Sequence, residues 1–292
     1  MIEKKIPFVG LHAHSVAGSI FDAIGYPDEH MDFCYENGGE ALALTDHGNM
    51  NGFSHQFLHW QKMKAEGKEF KPIFGVEAYF LPSIDEWRDD YERIKEDKKL
   101  AKSLAKQGDT SGATVEDEEA SKKAIKSVVN RRRHLVLLAQ NQTGLNNLFK
   151  LISASYREEN FYRYPRVDYK MLAEHSEGVI AASACLGGPY AGNYWEHREE
   201  GPEAVREAMR ETTRNFVEVF GDRWYGELQW NNIPEQHELN QYIIEVCKEF
   251  DVTLISTADS HYPNREAWKD RELYKRLGWL GKGTPAWAED NT

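Results

Sequence analysis

Seven short apolar runs, bounded by glycine, proline, aspartate or asparagine, recur along the chain. They are the strand candidates FVGLHAH, EALALTDH, KPIFGVEAYF, HLVLLAQ, GVIAASAC, RWYGELQW and VTLISTADSH. Segments with helical spacing lie between them at 27–37, 52–66, 143–155, 202–220 and 234–250. Strands that alternate with helices favour parallel pairing and an α/β class. Seven such units over this length favour a closed, irregular barrel, although periodicity alone does not separate a barrel from an open sheet.

The segment 85–133 interrupts this alternation. Half of its residues are charged, and the stretch KQGDTSGATVEDEEASKK is almost without apolar side chains. We favour a solvated helical hairpin or a partly disordered insertion. The alternative is a flexible lid or substrate-guiding arm, on which Arg131, Arg132 and Arg133 would close on phosphates. With this insertion at about 85–133, residues 1–292 are interpreted as a single domain.

The formal net charge of −12 and the pI near 5.4 restrict how the chain can bind nucleic acid. Proteins that bind it by phosphate neutralisation alone tend to be basic, so any contact must be local or mediated by metal cations. No apolar run reaches 18 residues, and the N-terminus lacks the apolar core of a signal peptide. Cys34, Cys185 and Cys247 lie too far apart for a disulfide framework. These features predict a cytoplasmic protein that does not enter a membrane.

Residues that can bind a metal ion recur near the ends of the predicted strands. They are His12, His14, Asp46, His47, Glu77, Cys185, Asp259 and His261. In parallel α/β folds the carboxyl ends of the strands collect reactive groups. Side chains at i and i+2 of a strand point the same way, so each H-x-H or D-x-H pair can hold one ion. Imidazole, carboxylate and thiolate together suit zinc, iron or manganese.

Most of these residues also have an ordinary structural interpretation. Asp46 could start a turn, and Cys185 could be a small buried apolar side chain. Glu77 is harder to explain in that way, because a carboxylate inside an apolar strand is costly unless it is paired or metal-bound. Six or more such residues near strand ends therefore favour a metal site over coincidence.

Seven motifs of the chain are specific when they are taken together. They are LHAHS, LALTDHGNMNGF, KPIFGVEAYF, HLVLLAQNQTGLNNLFKLIS, SACLGG, YGELQWNNIPEQHELN and ADSHY. They resemble the PHP (polymerase and histidinol phosphatase) domain, above all the one at the N-terminus of bacterial DNA polymerase III alpha subunits. The likeness runs from about residue 7 to 82, resumes at 134 and continues with gaps to about 280. It implies a single PHP domain, a distorted seven-stranded (β/α) barrel with a trinuclear centre of divalent zinc, manganese or iron.

The resemblance also implies which residues hold the three ions. The first ion would be held by His12, His14, Glu77 and Asp259. The second would be held by Asp22, His47 and His261, and the third by Glu77, His134 and Cys185. Glu77, Asp259 and His47 are assigned to catalysis through these ions. His134 begins the fourth predicted strand instead of ending it, so its assignment depends on the resemblance alone.

The leading functional hypothesis is metal-dependent hydrolysis of phosphodiester bonds, by a 3′–5′ exonuclease that acts on a 3′ end or single strand of DNA in replication or proofreading. Close cations lower the pKa of a shared water and neutralise phosphoryl oxygens, so no side-chain nucleophile is required. The candidate phosphate contacts are Arg131, Arg132, Arg133 and Arg265. Two alternatives stay open: a phosphomonoesterase of histidinol-phosphatase type, and a non-catalytic module that docks a separate DNA polymerase chain.

Overall fold

The structure is a computed structural model that describes residues 8–106 and 126–278. The strands of this part are β1 (Ala41–Leu44), β2 (Lys71–Phe80), β3 (Arg133–Ala139), β4 (Phe161–Tyr162), β5 (Tyr164–Val167), β6 (Val179–Ala182), β7 (Trp224–Gln229) and β8 (Thr253–Thr257). Its longer helices are α1 (Pro27–Glu36), α2 (Phe53–Ala65), α3 (Ile84–Lys106), α4 (Gln142–Ser155), α5 (Tyr169–His175), α6 (Pro189–His197), α7 (Pro202–Phe220), α8 (Pro234–Glu249) and α9 (Trp268–Gly278). Within these described ranges, none of the helices has the length and apolarity needed to cross a lipid bilayer.

Six strands and one extended segment form the barrel. Strands β1, β2, β3, β6, β7 and β8 pair in that order. Segment 10–14 fills the remaining place, because it bridges to Leu42 of β1 on one side and to Ser260 after β8 on the other. On that second side, the backbone amide of His14 donates to the carbonyl of Ser260 at 2.8 Å. The predicted distorted seven-stranded barrel is confirmed, with segment 10–14 as its irregular member.

Strand β3 runs antiparallel to both neighbours, β2 and β6, so the prediction of parallel pairing is wrong for this strand. The reason lies in the connection that precedes it. Helix α3 follows directly after β2, and the returning chain lies beside the first turns of α3: Trp87 Nε1 donates to the carbonyl of Val128 (2.8 Å), and Arg131 pairs with Asp90 (2.8 Å). The chain thus re-enters the sheet at the carboxyl end of β2, the same end at which it left. His134, at the start of β3, therefore lies at the carboxyl end of β2, opposite Tyr79.

Apolar contacts anchor both ends of the predicted insertion 85–133. Leu81, Ile84, Trp87 and Val128 form a buried cluster outside the main core. Residues 107–125, on which the lid interpretation mainly depends, lie outside the described residues. The lid and the single-domain boundary both stay predictions.

The five predicted helical segments are confirmed to within one residue by α1, α2, α4, α7 and α8. The largest apolar core lies between the sheet and helices α4, α6, α7 and α8. Helix α7 contributes Val205, Met209 and Phe216 from one face, as its apolar spacing requires. The ring of Phe216 stacks on Trp224 of β7 with centroids 4.1 Å apart. This layer fixes the strands whose ends carry the polar residues described next.

Candidate metal centre

All nine predicted ligand side chains meet at one edge of the barrel. They are His12, His14, Asp22, His47, Glu77, His134, Cys185, Asp259 and His261. Each has a nitrogen, oxygen or sulfur atom within 3.6 Å of another member. A backbone bridge sets His47 beside Glu77, and a left-handed backbone at Asp259 (φ 50°) turns the chain sharply after β8. Aspartate tolerates that conformation better than most residues.

Four of these side chains, His12, His14, Glu77 and Asp259, form what we call the inner group. Nε2 of His12 lies 2.8 Å from Glu77 Oε2 and 3.3 Å from Asp259 Oδ1. Nε2 of His14 lies 3.1 Å from each of the same two oxygens. Two imidazole nitrogens and two carboxylate oxygens thus surround one point, and this set has the spacing of a metal site.

The other five side chains, Asp22, His47, His134, Cys185 and His261, form what we call the outer group. Oδ2 of Asp22 lies 3.0 Å from His47 Nε2 and 3.4 Å from His261 Nε2. On the other side of His47, the Sγ atom of Cys185 lies 3.6 Å from Nδ1 of His134. The outer group therefore divides into two clusters on either side of His47.

Glu77 lies between the two groups, and its two carboxylate oxygens face different neighbours. Oε2 faces His12 and His14 of the inner group. Oε1 contacts His134 Nδ1 and lies 3.3 Å from His47 Nδ1 in the outer group. A carboxylate in this position can contribute one oxygen to each of two ions.

Buried atoms of both groups lack a hydrogen-bond partner among the described residues. They are Nε2 of His14, Nδ1 of His47, Oε1 of Glu77 and Oδ1 of Asp259. Buried polar atoms are normally satisfied. Here they face one another across 3.1 Å (His14 to Asp259) and 3.3 Å (His47 to Glu77) without hydrogen-bond geometry. The residues present therefore fit divalent cations, and imidazole, carboxylate and thiolate donors suit zinc, manganese or iron.

The pKa values of the site reflect its mixture of histidines and carboxylates. Burial favours a higher pKa for Glu77, but the adjacent His134 and His47 outweigh burial and hold the pKa well below its usual range. Burial favours a lower pKa for His47, yet Glu77 and Asp22 raise it to about 10. Because a metal ligand must be unprotonated, an ion that binds here has to displace protons from histidines.

Two residues at the site are absent from the predicted set. Glu227, buried on β7, accepts a hydrogen bond from Nδ1 of His12 at 2.7 Å. Its signal was present, because Glu227 is a carboxylate inside an apolar strand just as Glu77 is. Arg271 of α9 donates from Nη2 to Oδ1 of Asp22 and from Nε to its backbone carbonyl, both at 2.8 Å. Nothing in the charged sequence of α9 distinguishes this arginine from its neighbours.

The four arginines predicted to contact phosphate differ from one another in their surroundings. Arg131 pairs with Asp90, and Arg133 pairs with Glu196. The guanidinium of Arg132 instead lies over two aromatic rings, 3.8 Å from the centroid of Tyr164 and 5.2 Å from that of Tyr79. Arg265 lies exposed in a short 3-10 turn before α9.

The ring of Tyr79 connects Arg132 to the metal centre. Tyr79 lies 5.7 Å from the ring of His134 and 6.3 Å from that of His47, centroid to centroid. Of the three consecutive arginines, Arg132 is therefore the one whose guanidinium stacks on a wall of the site instead of pairing with a carboxylate.

A model of the PHP domain family matches residues 10–231, which is more than half of the chain. The chain belongs to the PHP domain family. The family predicted from the motifs is thereby confirmed. Seven of the nine candidate ligands fall inside the matched range, and Asp259 and His261 follow it.

Curated relatives of this PHP domain are DNA polymerase III alpha subunits. The subunit of Aquifex aeolicus is 37% identical over 259 residues, which are 89% of this chain and 18% of that protein. The subunit of Campylobacter jejuni is 32% identical over 278 residues, which are 94% of this chain and 19% of that protein. The chain thus spans about a fifth of the length of the curated relatives it matches.

Solved structures similar to this PHP domain are distant from it. One, described as a metal-dependent phosphoesterase from Bifidobacterium adolescentis, is 12% identical with a TM-score of 0.43 and covers 93% of this chain and 98% of its own. Another, an amidohydrolase from Chromobacterium violaceum, is 13% identical with a TM-score of 0.43 and covers 91% of this chain and 96% of its own. Likenesses this distant carry no argument about what this chain does.

Proposed function

We propose that this PHP domain is a metal-dependent phosphoesterase that hydrolyses phosphodiester bonds, as a 3′–5′ exonuclease on DNA. The observation that carries the proposal is the position of Glu77, with one oxygen towards the inner group and one towards the outer group. A shared carboxylate of this kind suits a cluster of close ions, which is the arrangement that phosphoryl-transfer enzymes use to hold both the attacking and the leaving oxygen.

In the proposed centre, the three ions divide among the nine side chains. The inner group would hold one ion. Asp22, His47 and His261 would hold the second, and Glu77, His134 and Cys185 the third. Bound there, divalent zinc, manganese or iron would supply hydroxide near neutral pH and neutralise charge on the phosphoryl oxygens.

The chain's own residues would perform the remaining tasks of the reaction. Glu77, Asp259 and His47 would hold the ions in place, and Glu77 would contribute an oxygen to two of the three sites. Arg132 supplies a guanidinium at the edge of the site that can hold a phosphate in bidentate fashion. Arg131 and Arg133 are less available for that purpose, because Asp90 and Glu196 already engage them.

DNA and a DNA polymerase chain are the partners that we propose for this domain. The support is the sequence similarity to DNA polymerase III alpha subunits, of which the chain spans only a part. A cytoplasmic location in bacterial replication would follow from the same similarity. In that setting, a non-catalytic docking role is the second candidate function.

One set of assays tests the proposal and separates its alternatives. The purified chain, after elemental analysis for zinc, manganese and iron, is incubated with a 5′-labelled single-stranded oligonucleotide, with and without chelator. We expect shortening from the 3′ end that chelation abolishes and added manganese or zinc restores. Faster turnover of histidinol phosphate than of DNA would favour the phosphomonoesterase, and metal binding without any hydrolysis would favour the docking role. Full activity in a protein free of transition metal would refute the proposal.

A further inference from the structure

Two buried carboxylates near the metal centre do not belong to the nine candidate ligands. Asp46 follows β1, and Glu227 lies on β7. Their hydrogen-bond partners are a histidine, serine, threonine and glutamine side chains and a backbone amide. Burying a carboxylate without a strong cationic partner costs free energy. Each of the two is therefore a candidate for a functional role.

Glu227 holds a hydrogen on Nδ1 of His12, which leaves Nε2 as the nitrogen that can bind an ion. A carboxylate can only accept, so the 2.7 Å contact from His12 Nδ1 to Glu227 Oε1 puts the hydrogen on Nδ1. Nε2 also lies within hydrogen-bond distance of a carboxylate, Glu77 Oε2 at 2.8 Å, and faces Asp259. An ion bound at the inner group would replace the hydrogen on Nε2, while Glu227 keeps the hydrogen on Nδ1. The same oxygen of Glu227 also accepts from Thr257 Oγ1 (2.5 Å) and Gln229 Nε2 (3.1 Å), which fixes the direction of the carboxylate.

Asp46 determines the tautomer of His14 through one intervening hydroxyl. Ser19 donates its only hydroxyl hydrogen to Asp46 Oδ1 (2.8 Å), so its oxygen must act as acceptor towards Nδ1 of His14 (3.2 Å). Nδ1 of His14 therefore carries a hydrogen, which leaves Nε2 as the nitrogen that can bind an ion. Nε2 is one of the unpartnered atoms, and it faces Asp259. Both histidines of segment 10–14 thus present the same nitrogen to the same point.

We propose that Glu227 and Asp46 are positioning residues that preset His12 and His14 as Nε2 ligands of the ion at the inner group. A carboxylate behind a ligating histidine fixes its ring and raises its basicity. Glu227 acts directly and Asp46 acts through a neutral hydroxyl, so Glu227 has the larger effect on metal affinity. This inference depends on the proposed function only in requiring an ion at the inner group, and it does not require hydrolysis of DNA.

The test compares Glu227→Gln with Glu238→Gln in the full chain. Glu238, on α8, accepts a hydrogen bond from Tyr194 (2.7 Å), so the control removes a hydrogen-bonded charge that is exposed and lies away from the site. Zinc affinity is measured by chelator competition. We expect Glu227→Gln to bind its tightest zinc ion about 10- to 100-fold more weakly, and Glu238→Gln to match the wild type.

Ser19→Ala keeps every charge and serves as a second variant if Glu227→Gln fails to fold. We expect it to weaken the same ion severalfold, and less than Glu227→Gln does. Nitrogen-15 NMR of the histidines in the zinc-loaded wild type supplies a readout that a purely structural role would not change: His12 and His14 should both carry hydrogen on Nδ1.

Hydrogen on Nε2 of either histidine would overturn the assignment for that residue, as would unchanged zinc affinity in both Glu227→Gln and Ser19→Ala. A wild-type protein that binds zinc with these tautomers but does not hydrolyse DNA would refute the proposed exonuclease activity. It would still support the positioning role of Glu227 and Asp46.

Discussion

The inner and outer groups of the metal centre differ in how far the protein encloses them. Three inner side chains are fully buried, and the fourth, Asp259, is 15% exposed. Among the outer side chains, His134 is 23% exposed and Asp22 is 38% exposed. Three inner side chains lie on the barrel itself, on β2 and segment 10–14, whereas all of the outer side chains except His134 of β3 lie in loops.

The difference in enclosure predicts that ions at the two groups would differ in affinity and in rate of exchange. Glu227 and Asp46 support the inner group from behind through buried hydrogen bonds. Asp22 in the outer group is held by Arg271, whose side chain is itself partly exposed. We therefore expect the inner ion to be bound tightly and exchanged slowly. The outer ions, which solvent and substrate can reach, are expected to exchange faster and to contact the phosphate.

Glu77→Gln should have the largest effect, because the two carboxylate oxygens of Glu77 face different groups. A glutamine amide offers one neutral oxygen and no charge, so it cannot serve two ions. We expect the variant to lose more than one ion per chain, and its DNA hydrolysis to fall by at least about 100-fold. Elemental analysis and the oligonucleotide assay measure both quantities, with Glu238→Gln as control. A variant that retains all its metal would contradict the bridging position.

Asp22→Asn should have a smaller effect, confined to the outer group. Asp22 faces His47 and His261 and has no contact with the inner group. We expect the affinity for one ion to fall by about tenfold or more, while the tightest ion stays bound. Chelator titration of both variants checks the ranking. If Asp22→Asn proves more damaging than Glu77→Gln, the division into inner and outer groups is wrong.

The sequence predicted the convergence of seven of the nine side chains because each stands out locally, whereas Asp22 and His134 are assigned only from the family resemblance. A histidine or carboxylate beside an apolar run is visible without knowledge of the fold. Glu227 could have been found by the rule that singled out Glu77, since both lie inside apolar strands.

Other features of the site could not be predicted from local sequence. The direction of β3 depends on how the segment 85–133 returns the chain to the sheet, and its charged composition contains no sign of a reversal. Only with β3 antiparallel does the start of that strand bring His134 to the site. Arg271 likewise looks like any charged residue of an exposed helix, and its contact with Asp22 joins positions 249 residues apart.

Cys185→Ser should affect only the third of the proposed ions, the one assigned to Glu77, His134 and Cys185. Burial, together with Asp259 and Glu77, raises the pKa of the Cys185 thiol, so a thiolate forms there only when a cation compensates. We expect cobalt-loaded wild-type protein to show a thiolate-to-metal charge-transfer band that Cys185→Ser lacks. Cys34→Ser and Cys247→Ser are the matched controls, since Cys34 lies on α1 and Cys247 on α8. A band that survives in Cys185→Ser would make this residue a bystander.

Arg271→Lys should have the smallest effect, and it probes how the outer group is held. Arginine donates from two nitrogens to Asp22, whereas lysine keeps the charge but cannot reproduce both bonds. Because the pair is partly exposed, we expect only about a threefold loss of affinity for an outer ion, in the range of ~0.2–1 kcal/mol typical of such pairs. Arg276→Lys, at an exposed position of the same helix, is the control and should bind metal as the wild type does. A loss of the tightest ion in Arg271→Lys would mean that α9 supports the inner group as well, and the contrast between the two groups would then fail.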